Sequence, residues 1–143
     1  MFLSRNALVL AGLGLLLSLS PAAAETVKYV ADLSGQSENP PTTSKAVGKI
    51  EASFDAATKT LTWSGSYADL TGPETMAHFH GPAALGKNAG VLVPVDAPAS
   101  PFKGSAVLTD EQVKALADGL VYFNIHTAEN KAGEIRGQMT PAK

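Results

Sequence analysis

A chain of 143 residues with 11 basic and 13 acidic side chains carries a formal charge of −2, and its lysines are scattered along its length. Such a balance offers nucleic acid no basic surface to bind. Cysteine is absent, which excludes disulfides, thiolate metal sites and cysteine nucleophiles and leaves imidazole, carboxylate, thioether or backbone groups to hold any metal.

The first segment reads as a leader. Arg5 gives a basic start, residues 7–19 are apolar and uncharged, and Pro21, Ala22, Ala23 and Ala24 supply the small residues a signal peptidase accepts. A secretory signal peptide is expected over residues 1–24, cleaved after Ala24, with the mature domain at 25–143 in the periplasm or secreted. A membrane anchor is the alternative, but the apolar run falls short of the roughly 20 residues a helix needs to span a bilayer. No membrane span is expected after cleavage, and a domain of this length buries a core without staples.

From residue 27 onward the pattern is one of short alternating segments separated by turn residues. Strands are expected at 27–33, 46–54, 60–67, 75–80, 91–95, 103–108, 120–126 and 134–140. Eight strands at this spacing predict an all-β antiparallel fold, a two-layer β-sandwich or a barrel. Asn39-Pro40-Pro41 cannot lie inside a sheet, 55–58 reads as a hairpin turn, and Pro98 and Pro101 bracket a further loop. Residues 81–90 form the longest glycine-bearing link. One short helix is expected near 110–118, with Thr109 and Gln112 spaced as a capping box, Val113, Leu116 and Ala117 as its apolar stripe, and Gly119 as its end.

The chain has three histidines, and two of them, His78 and His80, lie in the fourth strand. Residues i and i+2 of a strand share a face about 6.5 Å apart, so Met76, His78 and His80 face one way while Ala77 and Phe79 face the core. In the seventh strand Val121, Phe123 and Ile125 read as the core face, leaving Tyr122, Asn124 and His126 outward or in a site. Three imidazoles on two strands can converge on one metal ion if those strands are neighbours; otherwise the histidines serve as hydrogen-bonding structural residues. Met76 is a candidate thioether ligand or a packing residue. Arg136 can pair with Glu38 or Glu134, or guide an anion toward a metal. Asn124 can orient a histidine or satisfy backbone groups, Glu38 reads as part of a surface loop, and Tyr122 and Trp63 read as packing.

Hydrolase chemistry finds no support. There is no Gly-x-Ser-x-Gly elbow, no serine tied to a histidine and an aspartate, and no pair of carboxylates suited to glycoside hydrolysis.

Three stretches together resemble the CHRD domain family, named for its occurrence in chordin. They are Leu33-Ser34-Gly35-Gln36-Ser37-Glu38-Asn39-Pro40-Pro41, Ala77-His78-Phe79-His80-Gly81-Pro82-Ala83, and the run from Gly119 to Thr127 followed by Gly133-Glu134-Ile135-Arg136-Gly137-Gln138. They follow the family's order across nearly all of the mature chain. The resemblance implies an exported all-β domain, and in chordin such domains belong to an extracellular protein that binds growth factors. A looser similarity, to Cu,Zn superoxide dismutase, implies a Greek-key sandwich with His78 and His80 as paired copper ligands, His126 as the late one, and Arg136 beside the metal. This chain lacks that enzyme's bridging histidine, zinc cluster and disulfide.

The expected function is that of an exported metal-binding protein. Copper is the first choice and zinc the second, held by His78, His80 and His126 with Met76 as an additional ligand, for storage, delivery or detoxification. The alternatives are an extracellular module with a protein partner and, as a minor reading, a superoxide dismutase-like redox enzyme.

Overall fold

The computed structural model describes residues 25–96 and 99–143; the expected leader at 1–24 and Pro98 lie outside the described residues. The elements in order are β1 (Thr26–Ser34), β2 (Val47–Asp55), β3 (Thr60–Ala68), β4 (Glu74–His80), β5 (Val91–Val95), β6 (Phe102–Val107), α1 (Asp110–Ala117), β7 (Tyr122–Thr127), β8 (Ile135–Gln138) and β9 (Thr140–Pro141), with a 3-10 turn at Gly35–Ser37. All eight expected strands form, shifted by a residue or two at their ends. The stretch expected as one last strand divides. Met139 turns fully inside and donates its N–H to Val121, after which Thr140 and Pro141 pair with β1 as a short ninth strand. The helix forms with its capping box in place: Thr109 accepts from Gln112 N–H while the Gln112 side chain accepts from Thr109 N–H. Beyond it Gly119 takes φ of +72°, which a residue without Cβ adopts freely.

The strands join in one antiparallel sheet in the order β5-β4-β7-β8-β1-β2-β3-β6. The sheet curls until its two halves pack on each other. Trp63 of β3 and Phe79 of β4, distant in strand order, place their rings 5.1 Å apart edge to face, and Phe102 of β6 stacks 5.8 Å from Phe123 of β7. The β3 to β4 and β6 to β7 connections cross between the halves, so the sheet is nearly closed around an apolar core. Ala77, Phe79, Phe123 and Ile125 are all within 1% of full burial. The inward assignment of these alternating residues holds, and their outward neighbours are thereby placed on the opposite face of β4 and β7.

That outer face is not left to solvent. Every residue of β7 is buried, because the loops after β1, β4 and β7 fold over it. Glu38, expected on a surface loop, is 5% exposed. Beyond the helix-capping and turn signals, this second, polar interior is the main feature of the fold that alternation does not announce. Among the described residues no helix is long and apolar enough to cross a membrane.

Candidate metal centre

Strands β4 and β7 are direct neighbours, paired in register with Met76 opposite His126, His78 opposite Asn124 and His80 opposite Tyr122. Cross-strand partners share a face, so the three histidines stand side by side. Two irregularities bracket them. The β4–β7 register shifts between Glu74 and Met76, and the β4–β5 register shifts between Phe79 and His80; such bulges re-aim neighbouring side chains.

The rings converge. Nitrogen donors of His78, His80 and His126 all lie within 4.8 Å of one another, and His78 Nδ1 is 3.1 Å from His126 Nε2. Two nitrogens bound to one metal at 2.0–2.1 Å stand roughly 3.0 to 3.5 Å apart at ordinary bond angles. The closest pair already has that spacing, and a small ring rotation brings in a pair at the outer limit.

Two of the rings are held by main-chain carbonyls. His80 Nδ1 lies 3.0 Å from Ala89 O, and His126 Nδ1 lies 2.9 Å from Lys131 O. A carbonyl only accepts, so each Nδ1 carries the proton and each Nε2 is left with its lone pair. His80 Nε2 is buried with no hydrogen-bond partner. This arrangement, one ring nitrogen tethered to a backbone oxygen and the other presented to a shared space, is how protein metal ligands are oriented. Burial pushes all three imidazoles below their ordinary pKa, and His126 and His80 lower His78 further. Neutral imidazole is the metal-binding form.

A polar scaffold stands behind the rings. Tyr122 stacks on His80 with centroids 4.9 Å apart and planes 6° from parallel, and its hydroxyl donates to the same Ala89 carbonyl that tethers His80. Arg136 lies 3.8 Å from the centre of the Tyr122 ring. Its guanidinium pairs with Glu38 at 3.2 Å and donates to Lys87 O and Asn88 Oδ1, fastening the β4–β5 link that carries Ala89. Of the partners weighed for Arg136, the structure therefore selects Glu38. Glu134 is engaged elsewhere, accepting from Ser44, Thr71 and Thr127. Burial raises the Glu38 pKa, against the opposing pull of Arg136 and of Asn124.

Met76 lies on the same face, opposite His126, with 46% of its surface exposed; it borders the cluster from the solvent side. Tyr122 does more than pack, and Asn124 is 1% exposed between Glu38 and His80. Trp63 is a core residue, as expected. His78, half-buried, is the most open of the three rings.

No curated protein and no solved structure matches the chain. One family model does, over residues 29–139. It runs from Tyr29 within β1 to Met139 and takes in all three histidines, Glu38, Asn124 and Arg136, so the centre lies wholly within the matched span and the chain belongs to the CHRD domain family.

Proposed function

We propose that this is an exported protein, periplasmic or secreted behind its leader, that binds one copper-like metal ion through His78, His80 and His126, for storage, delivery or detoxification of the metal. The observation that carries the reading is the pair of carbonyl tethers on His80 and His126. They leave two Nε2 lone pairs facing the space beside His78, one of them buried without a partner. A ring that only packed or hydrogen-bonded would not need its second nitrogen kept free inside the protein. Imidazole donors suit copper first and zinc second, and half-exposed Met76 adds a thioether at the rim that favours the cuprous ion.

The test is titration of the domain at residues 25–143 with Cu(I), Cu(II) and Zn(II), beside His78→Ala, His80→Ala, His126→Ala and Met76→Leu. One tight equivalent, weakened in each histidine variant, is the expected result; Met76→Leu should lower Cu(I) affinity alone. Weak uptake indifferent to the histidine substitutions would refute the site and turn the search to a protein partner.

A further inference from the structure

Asn124 contains an oxygen that the fold leaves without a partner. The residue is 1% exposed and sits in β7 directly across from His78, between Tyr122 and His126. Its amide has two ends. One lies against Glu38: a Cβ added to Gly133 would strike both Glu38 Oε1 and Asn124 Nδ2, so the two groups meet over that glycine. A carboxylate paired with Arg136 is an acceptor, so it is the amide nitrogen that belongs on its side. The oxygen is thereby turned toward the face of β4 and β7 that carries the histidines.

There Asn124 Oδ1 and His80 Nε2 are both buried and both without a hydrogen bond. Two buried acceptors left unsatisfied are unfavourable unless an electron-poor partner fills the space that they face. Resting on the metal reading above, we propose that Asn124 Oδ1 supplies an oxygen donor to the fourth position of the histidine site, aimed by Glu38, and that this oxygen shifts the site toward divalent ions, against the pull of the Met76 thioether toward Cu(I). A carbonyl oxygen is a hard donor, and hard donors favour Cu(II) and Zn(II) over the soft cuprous ion. Gly133 belongs to the device. At φ of +130° and with no room for a Cβ, it lets Glu38 and Asn124 come together.

The experiment compares Cu(II), Zn(II) and Cu(I) affinities of the mature domain with those of Asn124→Leu and Glu38→Gln. Asn124→Leu keeps the size of the side chain and removes the oxygen. It should weaken Cu(II) and Zn(II) by roughly tenfold or more, the range typical of groups that support a metal site, while Cu(I) changes less than about threefold. Cu(I) uptake also reports that the histidines remain assembled. Glu38→Gln leaves the three histidines, Met76 and Asn124 in place but introduces an amide that can donate to Asn124 Oδ1 and turn it away, so it should shift the divalent preference in the same direction. It decides the matter if Asn124→Leu loses all three ions. An unchanged Cu(II) to Cu(I) ratio in the deciding variant overturns the assignment of Asn124. Wild-type protein that takes up none of the three ions overturns the histidine site itself, and the assignment with it.

Discussion

The three imidazoles are the same chemical group placed under unequal constraint. His80 and His126 each spend one nitrogen on a main-chain carbonyl, and His80 is further clamped against the Tyr122 ring. His78 is half-buried and held through its contact with His126. A ligand fixed before the metal arrives loses less freedom on binding, so the tethered rings should carry more of the affinity. We expect His80→Ala and His126→Ala each to weaken metal binding roughly tenfold more than His78→Ala does, in line with the size of orienting effects around metal ligands. Competitive titration of the three variants checks this, and a His78→Ala loss as deep as the others would show that tethering does not matter. The shared face of the histidines was legible from two alternations, Ala77 and Phe79 against His78 and His80, and Phe123 and Ile125 against Asn124 and His126. Glu38 was not, because nothing local in Ser37-Glu38-Asn39-Pro40 records that the loop folds back across β7 to meet Arg136.

At the scale of elements, the centre depends on the β4–β7 pair and on the loops closing over it, whereas α1 lies in a different part of the structure. Its Gln112 donates to Leu92 and its Leu116 is in the core, but none of its residues joins the polar scaffold around the histidines. Thr109→Ala removes the hydroxyl that caps it. The expected cost is about 1 kcal/mol, a fall of about 4 °C in Tm for a domain of this size, with metal affinity unchanged. Calorimetry together with the titration separates the two readouts, and a parallel loss of affinity would mean that helix and centre are coupled. The capping box could be read directly from Thr109 and Gln112 because a cap is a local device. The adjacency of β4 and β7 could not be, since the long stretch between them carries no mark of which strands pair across the crossover; pairing follows from how Trp63, Phe79, Phe102 and Phe123 fill one core.

For the molecule as a whole, what matters is how the loops that make the outer face an interior are held down, and Glu134 ties several of them together. Fully buried one residue before β8, it accepts from Ser44 in the β1–β2 link, from the hydroxyl and N–H of Thr71 in the β3–β4 link, and from Thr127 at the end of β7. Burial alone would raise its pKa; the bonds from Ser44, Thr127 and Thr71 together outweigh that and bring it from 4.5 down to about 2. A carboxyl whose folded pKa is depressed contributes stability that is fully present above its unfolded value and is lost as the pH falls through the folded one. The window here runs from pH 4.5 down to about 2, and the shift corresponds to at most about 3 kcal/mol. Glu38 acts in the other direction. Its pKa is raised, so its protonation favours the folded state as the pH drops toward 4.5 and adds no slope below that. Glu134→Gln keeps the shape of the side chain and removes the titration. Denaturant unfolding of both proteins should therefore show the variant less stable by up to about 3 kcal/mol near neutral pH, with the gap closing between pH 4.5 and 2. A gap that stays constant across that window would mean that the charge of Glu134 contributes nothing and that its oxygens serve only as neutral acceptors for the two links and the end of β7.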